Sequence, residues 1–228
     1  MKQKPRVKRD HKQNGLKHRP DAGPGKAKGH HESDANHDHA KPIRRAKADK
    51  KHVDLPALLT DKSLLRKMAR KEVDDGAITP DYRLDKDLVI GLLNESLATE
   101  LVCTLRYKRH YYVANRIKGR YVAAEFAQHA IEELAHADLI AERIMQLGGT
   151  PDFNPVGLAE RSHAEYFEGT DLQDMIRENL IAERIAIESY RAFAQFLGEA
   201  DPTTRRMIES ILAMEEEHAN ELTDLMED

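Results

Sequence analysis

The sequence predicts an all-α fold, a bundle of four long helices arranged as two antiparallel hairpins, and three observations carry that expectation. From about residue 88 onward Ala, Leu, Glu and Arg dominate, with no Trp and few aromatics, a balance that favours helices over a β-sandwich. Four apolar seams recur there with the alternating three- and four-residue spacing of one helix face. The links between the seams are short, long and short again, which decides how the helices must neighbour one another.

Residues 1–52 stand apart from the rest. They hold 16 Lys and Arg against 6 Asp and Glu, a net of +10, whereas residues 53–228 carry a net of −14. The first segment has no Phe, Trp or Tyr and almost no large aliphatic residue, so it cannot bury enough apolar surface to offset the entropy of ordering. It reads as a disordered, His- and Lys-rich basic arm. Its charge would attract phosphates, and its lack of aromatics restricts any contact with DNA to sequence-independent, salt-sensitive binding. A solubilising tail or an arm that docks on another protein is the other reading. Its seven His have no spacing that defines a metal site.

Residues 53–87 form an extension in which Ser63–Val73 has amphipathic spacing, predicting a short helix that docks on the body or on a neighbouring subunit. Asp75-Gly76-Ala77-Ile78-Thr79-Pro80 supplies the turn that closes it. The bundle itself is expected over residues 88–228. Its first seam runs Ile90, Leu93, Leu97, Glu100, Thr104, Tyr107, Tyr111 and Ala114, and its second runs Phe126, His129, Glu133, His136, Ile140, Ile144 and Leu147. The third contains Leu172, Ile176, Asn179, Glu183, Ala186, Tyr190, Phe193 and Leu197, and the fourth Ile208, Ile211, Glu215, His218, Leu222 and Leu225. Gly119, Gly148-Gly149 with Pro151, Asp171, Gly198 and Asp201-Pro202 provide the stops and starts. About twenty residues with Pro151, Pro155 and Gly157 separate the second seam from the third, enough to run the length of the bundle and return the chain to its starting end.

Each seam is apolar except where it carries a Glu, and two of those Glu have a His three residues later, on the same helix face. Glu100, Glu133, His136, Glu183, Glu215 and His218 would therefore converge inside one bundle. Four unpaired carboxylates there would each cost several kcal/mol, on the order of the penalty for a buried ion. The seams offer no matching set of Lys or Arg, whereas two divalent cations would balance four carboxylates with neutral imidazoles. A lone Glu-x-x-His is commonplace in a Glu-rich helical chain. Here Glu100 precedes Glu133 by 33 residues, Glu183 precedes Glu215 by 32, and each first Glu has a Tyr seven residues on, Tyr107 and Tyr190. The two hairpins read as copies related by a pseudo-two-fold, each with half of a dinuclear site.

Glu100, Glu133-Leu134-Ala135-His136, Glu183 and Glu215-Glu216-Glu217-His218 resemble the ligand pattern of the ferritin-like di-iron carboxylate proteins. Glu100-Leu101-Val102 with Tyr107, and the stretch Glu133 to Gly149, are particularly similar to bacterioferritin. The resemblance implies a ferritin-like bundle with two iron ions in each subunit, manganese being the alternative metal. It implies Glu100 and Glu183 as terminal ligands, Glu133 and Glu215 as bridges, and His136 and His218 completing one ion each. The implied activity is that of a ferroxidase, oxidising Fe(II) with dioxygen or peroxide for iron storage or detoxification, with Tyr107 donating a hydrogen bond to a ligand or supplying an electron. Bacterioferritins bind haem through a Met between the helix-two Glu and His; Leu134 stands there, so no haem is expected.

Only ten residues follow His218, too few for the short fifth helix of 24-subunit ferritins. With the basic arm, this points to a homo-oligomer nearer the twelve-subunit, Dps-like mini-ferritins. Leu101, Leu105, Tyr112, Ile181 and Ile185, off the seams, also call for subunit association. His129 reads either as a core histidine or as an aid to metal passage, Tyr190 as a satisfied buried hydroxyl, and Cys103 as a packing residue. No signal peptide and no run of about 18 apolar residues is evident, so a cytoplasmic protein without a membrane span is expected. A di-iron oxygenase acting on an organic substrate, and a nucleoid-binding protein with a structural metal site, are the rival readings.

Overall fold

A computed structural model of the chain describes residues 55–71, 73–79, 81–117 and 119–227. The basic arm expected over residues 1–52, and Pro80 of the predicted turn, lie outside the described residues. Two short helices come first, α1 (Leu55–Thr60) and α2 (Lys62–Ala69). Asp61 separates them and caps α2, its carboxylate accepting from the backbone N–H of Ser63 and Leu64. Leu58, Leu65 and Met68 face Val73 and Ile78 of the following loop. Leu59 and Leu65 stay exposed, so within one chain the amphipathic segment is only partly docked. The loop itself is anchored more firmly. Ile78, Tyr82 and Leu84 pack on the bundle, and the Tyr82 hydroxyl donates to Asp201 at 3.0 Å.

The four long helices are α3 (Lys86–Arg116), α4 (Arg120–Gln146), α6 (Leu172–Leu197) and α7 (Pro202–Glu227), with one turn of helix, α5 (Leu158–Arg161), in the crossover between α4 and α6. Three of the four N-terminal caps are Asp whose carboxylates satisfy first-turn N–H groups, Asp85 for α3, Asp171 for α6 and Asp201 for α7, whereas α4 starts at Gly119 with no side-chain cap. The end of α4 is a Schellman turn. Gly148 sits at φ +77°, its N–H donating to Met145, while the Gly149 N–H reaches back to Ile144. Gly149 is needed for a different reason, since a Cβ there would meet Ile90 Cγ2 at 2.8 Å.

The crossover is fastened to α3 at four successive levels. The Asp152 N–H donates to Asn94 at 2.8 Å, the His163 N–H to the Thr99 hydroxyl at 2.9 Å, Arg106 to the Glu165 carbonyl at 2.9 Å, and His110 lies 3.0 Å from the Phe167 carbonyl. Both segments advance in the same direction, so α6 begins at the far end, beside Gly119, and runs antiparallel to α3. Two antiparallel hairpins, α3/α4 and α6/α7, joined by one long crossover, are thereby fixed.

The core falls into two apolar layers. One contains Leu93, Leu97, Ile140, Ile144, Phe193, Leu197, Ile208 and Ile211; the other contains Ala114, Phe126, Met175, Ile176, Leu222 and Leu225. Between them lies a polar waist. Among the described helices α3 alone is long and apolar enough to cross a membrane. Glu100, Arg106 and His110 lie on its buried side, however, which is the composition of a core helix around a polar site.

The Gly148 turn gives a direct test. Left-handed backbone costs an L-residue with a Cβ about 1–2 kcal/mol, less for Asn. Gly148→Ala should therefore lower the denaturation midpoint measurably and Gly148→Asn by clearly less; equal losses would mean that the φ angle is not what glycine supplies.

Candidate metal centre

Helix periodicity places the six polar seam residues at one level. Glu100 comes from α3, Glu133 and His136 from α4, Glu183 from α6, and Glu215 and His218 from α7; none is more than 6% exposed. They form two overlapping groups. Glu100, Glu133, His136 and Glu215 can bring one ligand atom each within 4.8 Å of one another, and so can Glu133, Glu183, Glu215 and His218. Glu133 and Glu215 belong to both. His136 Nδ1 lies 3.4 Å from Glu100 and 3.1 Å from Glu215, and His218 Nδ1 lies 3.3 Å from Glu215 and 3.6 Å from Glu133.

These approaches lack hydrogen-bond geometry. Glu100 Oε2, Glu133 Oε1, His136 Nδ1, Glu183 Oε2, both Glu215 oxygens and His218 Nδ1 are buried with no hydrogen-bond partner. Buried polar atoms are almost always paired, so one unpaired atom from every member of the set, all facing a common volume, fits cations coordinated between them. The donor types, carboxylate oxygen and imidazole nitrogen, suit iron or manganese. His218 has the outer support that a ligating imidazole needs: its Nε2 lies 2.9 Å from Glu132, which orients the ring and leaves Nδ1 facing inward.

The tyrosines cross-brace the set. The Tyr107 hydroxyl donates to Glu183, and the Tyr190 hydroxyl donates to Glu100. Each hairpin's tyrosine thus holds the other hairpin's carboxylate. Tyr190, expected to be a satisfied buried hydroxyl, is satisfied by one of the six clustered residues. Sequence gave no sign of this, because the partner lies 90 residues away.

The electrostatics without metal are those of crowded carboxylates. Burial and the Glu100 charge push Glu133 up to about 7, and burial with Glu133 and Glu215 pushes Glu183 up as well. Burial opposes a charge on both histidines, but Glu100 and Glu215 overcome it at His136, raised to about 10, while Glu133 and Glu215 do so at His218, raised to about 12. Metal is therefore not the only counter-charge open to the cluster, as the seams alone suggested: protons fill part of the role.

A further cation sits just off the seams. Arg106 is fully buried, its guanidinium donating to Asn179 at 2.9 Å, to the Glu165 carbonyl and, more weakly, to Cys103 Sγ at 3.7 Å. Asn179 in turn contacts His110 Nδ1 at 3.0 Å. Burial and the neighbouring Arg106 charge hold His110 down at about 4, so it is neutral. No seam pattern marks Arg106; Asn179 of α6 and the Glu165 carbonyl of the crossover make its burial tolerable. Cys103 packs in a small cluster with Ala164 and Ala182. Leu134 is 43% exposed on α4 and offers no ligating atom.

His129, one turn before Glu133, is fully buried, stacked on His218 at 4.1 Å and set edge-on to Tyr107. Its Nε2 lies 2.8 Å from Glu221. Glu125, Glu132 and Glu221 around it carry no signal at the sequence level, where they read as ordinary solvated acids.

Known proteins place this architecture. The bacterioferritin of Desulfovibrio desulfuricans is 30% identical over 134 residues, 58% of this chain and 71% of that protein. Its crystal structure superposes with a TM-score of 0.56 at 27% identity, covering 62% of this chain and 80% of that one. A dodecameric thioferritin, the bacterioferritin-related protein of Bacteroides fragilis, is 35% identical with a TM-score of 0.59, covering 62% and 85%. Dps from Thermosynechococcus elongatus shares the fold, with a TM-score of 0.59 at 22% identity over 62% and 91% of the two chains. Residues 90–228, more than half of the chain, match the ferritin-like domain model, and the chain belongs to that family.

Proposed function

We propose that each subunit binds two Fe(II) as substrate between Glu100, Glu133, His136, Glu183, Glu215 and His218, oxidises them, and passes the ferric product to storage. The observation that carries this reading is the pair of overlapping four-residue groups sharing Glu133 and Glu215, with an unpaired buried atom on every member. Shared carboxylates bridge, Glu100 and Glu183 terminate, and each imidazole completes one position. The structure of the D. desulfuricans relative is described by its di-iron site in different catalytic states, which supports the same chemistry here. Each Fe(II) gives up one electron; dioxygen accepts the pair with two protons to form hydrogen peroxide, or peroxide accepts it to form water. Tyr107 and Tyr190 hold the terminal carboxylates in place, and the apolar layers on either side exclude water. Those filled layers favour oxidation of iron over attack on an organic substrate.

Exposed Leu105, Tyr112 and Ile181, the last lining an apolar groove with Ile185, support a homo-oligomer, and the dodecameric relative supports twelve subunits over twenty-four. In this reading no haem binds at Leu134, and the net charge of +10 on residues 1–52 supports contact with DNA phosphates.

Anaerobic Fe(II) titration followed by admission of oxygen tests the centre. The wild-type protein should retain two more iron ions per subunit than Glu133→Ala/His136→Ala, and the variant should oxidise iron more slowly by over about a hundredfold, since even outer-shell losses cost about 10–100-fold in metal affinity or activity. Equal binding and equal rates would refute the di-iron reading.

The tyrosine braces should matter equally. Tyr107→Phe and Tyr190→Phe should each weaken Mn(II) binding by about tenfold in competition with a chromophoric chelator. Unchanged affinity in Tyr190→Phe would reduce that residue to packing.

Protons and metals compete for the same atoms, so pH has a definite sign. Glu133 keeps its proton to about 7 against an ordinary 4.5, and His136 keeps its own to about 10 against 6.5. At these two groups the folded, metal-free protein thus binds more protons than the unfolded chain. The stability contributed by these two groups is fullest below 4.5, declines up to about 7 through Glu133, and declines further from 6.5 toward about 10 through His136. Metal binding releases those protons and strengthens as pH rises. The gain in melting temperature on saturation with Mn(II) should therefore be larger at about pH 8 than at about pH 6; a gain that shrinks over that interval would contradict the linkage.

A further inference from the structure

Among the described residues two arginines are buried, Arg106 and Arg143, and they are treated differently. Arg143 has a counter-ion, the Asp201 carboxylate at 3.1 Å. Arg106 is the more deeply buried, yet its guanidinium donates only to the Asn179 amide oxygen, the Glu165 carbonyl and Cys103 Sγ. None of these acceptors is an anion, since burial pushes the Cys103 thiol well above its ordinary range. A buried charge with no partner of opposite sign is strongly destabilising, so Arg106 must be answered at longer range.

The central cluster is what answers it. Burial opposes the Arg106 charge, and beyond the neutral Cys103 and Tyr107 the acids that sustain it are Glu183 and Glu133. Asn179, its hydrogen-bond partner, stands one turn before Glu183 on α6. Tyr107, whose hydroxyl holds Glu183, follows it on α3, and the guanidinium carbon lies 5.9 Å from that ring's centre. A guanidinium keeps its proton at any working pH. Its charge is therefore permanent, unlike the protons that the cluster gives up to metal.

We propose that Arg106 is a fixed countercharge that biases the centre toward ferrous substrate and against retaining ferric product. This bias rests on the di-metal reading above. Four carboxylates cancel two Fe(II). When each iron has passed its electron to the oxidant the centre is more positive by two charges, and Arg106 repels the ferric pair more than the ferrous one. The ferric ions are then easier to reduce and easier to release to storage. Arg106 touches no reacting atom and acts through its field, in a waist sealed by two apolar layers where solvent screens little.

A structural tie and a countercharge predict opposite signs for Mn(II) affinity, measured at about pH 8 against a chromophoric chelator. There the charge of two incoming Mn(II) exceeds that of the protons displaced from His136 and His218. Arg106→Gln, neutral but still able to donate to Asn179, should bind Mn(II) about tenfold more tightly. In potentiometric titration of the iron-loaded protein it should favour Fe(III) about tenfold, a midpoint lower by about 59 mV per electron. Arg106→Lys, which keeps the charge, should stay close to wild type in both measurements. Arg106→Met, neutral and of similar length, should move both in the direction of Arg106→Gln and serves if the glutamine variant does not fold. Weaker or unchanged Mn(II) binding in a folded neutral variant, or an unmoved midpoint, would reduce Arg106 to a structural tie. Failure of the wild-type protein itself to bind two Mn(II) per subunit would instead sink the di-metal reading, and this bias with it.

Discussion

Four carboxylates and two imidazoles removed from water at one level of a helical bundle set the terms for the rest of this protein. Each buried anion costs several kcal/mol unless something positive or protic answers it. The apolar layers of Leu97, Ile140 and Ile211 on one side, and Phe126, Ile176 and Leu222 on the other, make that cost unavoidable by sealing the waist. Cations answer it most fully. In their absence protons do, on Glu133, His136 and His218. A fold that must hold protons where it could hold metal is a fold biased toward metal as pH rises. Strength of binding and stability of the bundle are then linked through the same atoms.

Neither hairpin can do this alone. α3/α4 supplies Glu100, Glu133 and His136, and α6/α7 supplies Glu183, Glu215 and His218. Each shared group also draws on both hairpins. The braces follow the same logic, with Tyr107 of α3 on Glu183 of α6, and Tyr190 of α6 on Glu100 of α3. Arg106 adds a lock of another kind, tying α3 to Asn179 of α6 and to the crossover. The crossover is thus more than a connection. By satisfying Arg106 and His110 with backbone carbonyls, it lets α3 bury two polar side chains beside the site.

The helices and the six clustered residues were legible because both depend on spacing within a single element. A seam of apolar residues interrupted by Glu is visible in any helical register, and an i, i+3 pair shares a face wherever the helix lies. What escaped notice depends on pairing between elements. Tyr190 could be placed on the face of Glu183, seven residues away, but its partner Glu100 belongs to another helix. Arg106 lies off the seam and is buried because of a loop with no regular pattern. Glu125, Glu132 and Glu221 look like any solvated acids until α4 and α7 bring them around His129. The exposed Leu59 and Leu65 of the extension show the converse: amphipathic spacing foretold a helix, not the surface that would cover it.

The pseudo-two-fold is kept at the clustered carboxylates and imidazoles and broken just outside them, and the break has a direction. Position by position, Glu133 corresponds to Glu215 and His136 to His218; one turn earlier His129 corresponds to Ile211, and one residue earlier Glu132 corresponds to Met214. On the His136 side, therefore, the flank is closed by Ile211, buried in the apolar core. On the His218 side the same place holds an imidazole, with Glu132 on His218 and Glu221 on His129. Had packing alone governed these positions, the copy that buries Ile211 shows that an aliphatic residue suffices. A polar row on one flank and an apolar plug on the other leaves the waist with one hydrophilic side.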